Sequence, residues 1–131
     1  MRFKLGNKVI SKDSPVYFIA DIAANHDGNL SRAKKLIRLC AKAGANAAKF
    51  QHFKAKTIVS DKGFKNLGKI THQSKWKKSV FEVYKDASID FNWTKELKKE
   101  CKKNEIDFLT SPYDFDYVDR VKKYICAYKI G

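Results

Sequence analysis

The sequence predicts an α/β fold built on four parallel strands, and three observations carry that expectation. A nearly continuous apolar run at residues 16–22, a stretch of helical apolar spacing from Leu30 to Ala41 and a second extended run at 45–51 follow one another directly. That is the order of a βαβ crossover, which joins parallel strands. Two more extended runs, at 106–111 and 125–130, alternate with helical segments in the same way.

The elements are justified in chain order. Gly6-Asn7 sits between two short extended runs within residues 3–10, a two-residue hairpin signal. After Pro15, the run Val16-Tyr17-Phe18-Ile19-Ala20-Asp21-Ile22 reads as a strand buried on both faces, with one carboxylate near its end. Asp27-Gly28-Asn29 supplies turn chemistry; Leu30, Ala33, Leu36, Ile37, Cys40 and Ala41 then share a helical face, and Gly44 offers the stop. Ala45 to Gln51 is the second strand.

From His52 to Asn104 the pattern loosens into a polar loop followed by two helices. The first places Trp76, Val80, Val83, Tyr84 and Ala87 on one face, and the second is rich in Lys and Glu with Leu97 and Cys101 inward. Residues 106–111 return as the third strand, 114–123 form a short helix capped by Asp114 or Asp116, and 125–130 form the fourth strand.

At 131 residues and 44% hydrophobic content the chain can bury a real core as one domain. Four β units in order are half the count of a (β/α)8 barrel, which takes about 250 residues. The expectation is therefore a short hairpin over residues 1–14 and the first half of a barrel over 15–131; an open four-stranded sheet is the alternative.

The net charge of +14 favours anionic partners: nucleic acid, a membrane surface or a phosphorylated small molecule. Only four of the 28 basic residues are arginines, the side chain whose fork reads bases and phosphates, so a solvated lysine surface is the simpler reading. Cys40, Cys101 and Cys126 are widely spaced and odd in number, which fits a reducing compartment. No window approaches the roughly 18 apolar residues of a membrane span, and a cytoplasmic location is expected.

Parallel strands present their functional groups at their carboxyl ends. That criterion selects Asp21, Lys49 and Gln51, Thr110 and Ser111, and Lys129. Alternation puts Lys49 with Gln51 on one face of their strand, Leu109 with Ser111 on theirs, and Ala127 with Lys129 on theirs. Two lysines and a hydroxyl facing one cavity suit a phosphate or carboxylate, whose charge would offset the desolvation of the ammonium groups. Each residue also has a plainer explanation: a snorkelling lysine, Asp21 as a turn cap, Ser111 as turn chemistry before Pro112. His26 has no second histidine at ligand spacing and reads as structural, while His52 and His72 are isolated.

Four blocks carry a family resemblance. They are Phe18-Ile19-Ala20-Asp21-Ile22-Ala23-Ala24-Asn25-His26-Asp27-Gly28-Asn29-Leu30, Ala43-Gly44-Ala45-Asn46-Ala47-Ala48-Lys49-Phe50-Gln51, Phe108-Leu109-Thr110-Ser111-Pro112-Tyr113-Asp114 and Ala127-Tyr128-Lys129-Ile130-Gly131. In this order they resemble the N-terminal half of the N-acetylneuraminate (sialic acid) synthase family. The resemblance implies a TIM barrel, followed in complete members by a small antifreeze-like domain. It implies condensation of phosphoenolpyruvate with an N-acyl hexose such as N-acetylmannosamine, giving a nonulosonic acid and phosphate, in a homodimeric enzyme that acts on neither nucleic acid nor membrane.

By motif, the resemblance assigns Lys49, Ser111 and Lys129 to the anionic groups of phosphoenolpyruvate and Gln51 to the sugar. It assigns Asp21, which stands where the family commonly has Glu, to the water proton. The divalent metal it implies, usually manganese, takes its histidine ligands from the second half of the barrel, so no complete metal site is expected within these 131 residues. A lysine-rich polyanion-binding module and another phosphoenolpyruvate-dependent 3-deoxy sugar acid synthase are the competing readings.

Overall fold

A computed structural model describes residues 1–66 and 76–130; His72 and Gly131 lie outside the described residues. The chain opens with β1 (Arg2–Leu5) and β2 (Lys8–Ser11), paired antiparallel across Gly6-Asn7. Gly6 has φ +58°, and a Cβ there would meet Asp107 Oδ1 at 2.9 Å. Glycine takes this turn without backbone strain and leaves room for the Asp107 carboxylate.

The remaining elements are β3 (Ile19–Ala23), α1 (Leu30–Lys42), β4 (Ala47–His52), α2 (Ala55–Ile58), α3 (Asp61–Asn66), α4 (Val80–Ala87), α5 (Trp93–Lys103), β5 (Asp107–Pro112) and α6 (Phe115–Val121). Strands β3, β4 and β5 form a parallel sheet in chain order. The register pairs Asp21 with Lys49, Lys49 with Leu109, and Gln51 with Ser111, with an irregularity in β3 between Asp21 and Ala23.

Helices α1 and α5 pack on one face of this sheet. Their inward residues Ala33, Ile37, Leu97 and Cys101 meet Ala48 and Phe50 of β4 and Phe108 of β5 in a single buried cluster. Phe50 and Phe108 lie with ring centroids 5.7 Å apart, and burying each phenyl ring contributes roughly 1.5–3 kcal/mol. Because β-strand side chains alternate, that face leaves Lys49, Gln51, Leu109 and Ser111 on the other.

Local chemistry fixes the helix starts. The Asn29 side chain accepts from Arg32 N at 2.9 Å, and Ser79 with Glu82 forms a reciprocal capping box on α4. Asp114 rather than Asp116 caps α6, accepting from Asp116 N at 2.9 Å.

Three sequence expectations need correction. The first strand begins at Ile19; Val16 and Phe18 before it are 70% and 63% exposed and Ile19 itself 46%, so the described residues do not cover the run on both faces, and among them β3 lies at the edge of its sheet. The apolar string marks a surface that has no partner strand among the described residues. The expected fourth strand reduces to one parallel bridge, Thr110 with Tyr128, supported by Lys129 N donating to Thr110 O at 3.0 Å. The Tyr128 hydroxyl donates to Val118 O at 2.8 Å and ties the segment to α6. The loop after β4 also contains two short helices, α2 and α3, while Trp76 precedes α4.

Candidate active site

The carboxyl ends of β3, β4 and β5 gather the polar residues selected from the sequence. Lys49 projects from the middle of β4, where its side chain is only 3% exposed, and its Nζ donates to Asp21 Oδ1 and Oδ2 at 3.0 and 3.2 Å. The Asp21 carboxylate is 59% exposed on the neighbouring strand. A buried ammonium without a counter-charge costs several kcal/mol, and the chain itself supplies the carboxylate that an external ligand was expected to provide. An ammonium has three donors; Asp21 is its sole acceptor among the described residues.

Ser111, on β5, is buried, and its Oγ has no hydrogen-bond partner among the described residues. Leaving a buried hydroxyl unpaired costs about 1–3 kcal/mol, so such a group calls for a partner: a bound water, an ion or a ligand. Gln51, paired across the sheet with Ser111, donates from Nε2 to the Tyr113 hydroxyl at 3.2 Å. Lys129 follows the Thr110–Tyr128 bridge and is exposed; its backbone joins the strand ends, while its side chain stands outside the buried group. The structure thus brings Asp21, Lys49, Gln51 and Ser111 onto one sheet face and leaves Lys129 at its margin.

The two described histidines lie behind this face. His26 is buried against Trp93, with ring centroids 5.7 Å apart at 80°; its Nδ1 accepts from Gly28 N at 3.2 Å, and burial pushes its pKa down. His26 Nε2 has no hydrogen-bond partner among the described residues. His52 is held between two threonines, with Nδ1 2.8 Å from Thr110 Oγ1 and Nε2 2.9 Å from Thr94 Oγ1. Burial, and after it the charge of Arg120, pushes the His52 pKa down to about 4. The neutral ring has one N–H, so one threonine hydroxyl turns from its backbone carbonyl to the other ring nitrogen.

Sequence reasoning passed over His52 because no second ligand lies near it in the chain. The alternation of β4 held the signal: Ala48, Phe50 and His52 share the helix-facing side, where a polar residue must find buried partners. A chain of ion pairs braces the strand ends from outside. Lys54 contacts Asp116 at 2.9 Å and Asp114 at 3.5 Å, Asp116 contacts Arg120 at 3.2 Å, and Arg120 stacks 3.8 Å from the Phe91 ring.

Among the described residues, no group of three or more His, Cys, Asp or Glu side chains is placed to hold a metal ion. The described residues by themselves offer no complete ligand set for the manganese that the resemblance implies. Among the described residues, no helix is long and apolar enough to cross a membrane.

The structure is similar to the crystal structure of N-acetylneuraminic acid (sialic acid) synthetase from Leptospira borgpetersenii in complex with citrate. The TM-score is 0.81 at 26% identity, over 99% of this chain and 41% of that one. In sequence it is 38% identical over 101 residues to the N,N'-diacetyllegionaminic acid synthase of Campylobacter jejuni, covering 77% of this chain and 30% of the relative. It is 33% identical over 112 residues to the spore coat polysaccharide biosynthesis protein SpsE of Bacillus subtilis, covering 86% of this chain and 29% of the relative. The chain spans about a third of the length of these curated relatives.

The α/β fold is similar to that of the sialic acid synthetase, and the sequence relatives include a sialic-type acid synthase. The chain belongs to the NeuB family, whose profile matches residues 36–131.

Proposed function

We propose that this chain supplies the first part of the active site of a synthase that condenses phosphoenolpyruvate with an N-acyl hexose, releasing phosphate and a nonulosonic acid. The observation that carries the reading is the buried Lys49 ammonium on the same sheet face as the orphaned Ser111 hydroxyl. A cation and a hydroxyl donor, both desolvated before any ligand arrives, suit a phosphate or carboxylate better than a neutral ligand.

In the reaction, the enol carbon of phosphoenolpyruvate bonds to the sugar aldehyde carbon, and water adds to the adjacent carbon. The tetrahedral intermediate then loses phosphate by C–O cleavage. Lys49 and Ser111 hold the anionic groups through these steps, and Lys129 meets them from the margin. Asp21 takes the proton from the attacking water; its exposed carboxylate is reachable, and Lys49 fixes its position. The reading takes the ligands of a divalent metal from residues beyond those described. A homodimeric cytoplasmic enzyme is the proposed setting.

The full-length enzyme, incubated with phosphoenolpyruvate and N-acetylmannosamine or a diacetamido hexose, should release phosphate and sugar acid in equal amounts. Phosphate release that does not depend on the sugar would contradict the proposal.

A further inference from the structure

Tyr113 lies two residues past Ser111, at the point where β5 gives way to α6. Its backbone N–H donates to His52 O at 2.9 Å, which carries the β4–β5 pairing one residue beyond the strand and sets Tyr113 beside Gln51. There its hydroxyl oxygen accepts from Gln51 Nε2 at 3.2 Å. The ring packs edge to face on Phe53, centroids 6.4 Å apart at 84°, while 40% of the residue stays exposed.

This contact uses one hydrogen of the amide and one lone pair of the phenol. The amide oxygen of Gln51 and the phenolic proton of Tyr113 have no partner among the described residues. A free acceptor and a free donor therefore stand next to each other, on groups that carry no charge.

Resting on the synthase reading, we propose that Tyr113 is a specificity-determining residue that forms, with Gln51, the neutral donor–acceptor pair recognising the sugar hydroxyl or N-acyl group. The chemistry of the two substrates separates the roles. Ionised phosphoenolpyruvate has acceptor oxygens only, so it cannot donate to the Gln51 amide oxygen, and a neutral pair offers its charge little compensation. A sugar hydroxyl donates and accepts at once, and it fits an O–H and a C=O side by side. The site divides accordingly: Lys49 and Ser111 face the anion, Gln51 and Tyr113 the polyol.

Tyr113→Phe keeps the ring, its packing on Phe53 and the backbone bond to His52, and removes only the hydroxyl. In the full-length enzyme it should raise the KM for the N-acyl sugar roughly 3- to 10-fold, the loss expected for one neutral hydrogen bond, with the phosphoenolpyruvate KM and the melting temperature unchanged. Gln51→Met should act in the same direction. Because the two groups bind as a pair, adding Tyr113→Phe to Gln51→Met should change the sugar KM by less than about twofold.

An active wild-type enzyme whose Tyr113→Phe variant has an unaltered sugar KM overturns the assignment of Tyr113 and leaves the synthase reading intact. A parallel rise in both substrate constants overturns it as well, since that marks a structural role. A wild-type enzyme with no condensation activity refutes the synthase reading, and Tyr113 falls with it.

Discussion

Lys49 and Asp21 form an ion pair across adjacent parallel strands, and the pair is lopsided: the ammonium is buried and the carboxylate open to solvent, with Nζ 3.0 Å from Oδ1. The buried partner depends on the exposed one for its counter-charge, while the exposed one remains accessible to a water molecule or a substrate. On the proposed reading, that asymmetry lets one residue hold an anion while the other handles a proton within a single contact.

Asp21→Asn separates these roles from that of a turn cap. The substitution should lower turnover in the full-length enzyme roughly 10²- to 10⁴-fold, the usual range for general acid–base catalysis, without weakening phosphoenolpyruvate binding. Asn caps a turn about as well as Asp, so near-wild-type turnover in steady-state kinetics would remove Asp21 from the catalytic set. Asp21→Glu, which restores the residue common in the resembling family, should retain substantial activity.

Ser111→Ala should show stability and function moving in opposite directions. Removing an unpaired buried hydroxyl relieves a desolvation cost, so the chain should be unchanged or up to about 1 kcal/mol more stable in urea unfolding. Phosphoenolpyruvate binding should weaken roughly tenfold if the hydroxyl bonds a charged oxygen. A clear loss of stability would mean that the hydroxyl has a partner in the free protein.

His52 sets a pH dependence. Its folded pKa, about 4, lies below the ordinary 6.5, so between those values the unfolded chain binds the proton more readily than the folded one. Stability is therefore fully present above pH 6.5 and falls as the pH drops towards 4, by about 3 kcal/mol for a shift of this size. His26, also lowered by burial, acts in the same direction. Urea unfolding at several pH values should show a shallower decline for His52→Gln than for the wild type; identical slopes would remove His52 as the cause.

The 131-residue chain alone should form no sugar acid from phosphoenolpyruvate and N-acetylmannosamine, with or without manganese. The assay is direct, and measurable product would show that the described residues and their immediate neighbours suffice for the whole reaction.

The parts of the fold legible in the sequence are those where local pattern and tertiary packing agree. The helical spacing of Leu30 to Ala41 and the paired Leu97 and Cys101 report faces that are buried against β4 and β5. Strand-end polarity and alternation were enough to put Lys49, Gln51 and Ser111 on one side. What alternation could not convey is which polar groups find partners within the chain. The Asp21–Lys49 pair depends on strand adjacency, the His52 clamp on Thr94 arriving from a helix 42 residues away, and the Tyr113–Gln51 contact on a strand end running one residue further. The apolar run at 16–22 misled for a related reason: hydrophobicity reports that a surface prefers cover, and it does not say which segment provides it.

Lys49→Met gives the most direct test of the central claim that a buried ammonium at a strand end holds the anionic substrate. Methionine keeps the bulk and removes the charge. Steady-state constants for both substrates in the full-length enzyme should show the phosphoenolpyruvate constant rising roughly 10- to 150-fold, the loss expected for a hydrogen bond to a charged group, while the sugar constant moves far less. An unchanged phosphoenolpyruvate constant, or an equal rise for both substrates, would contradict the account.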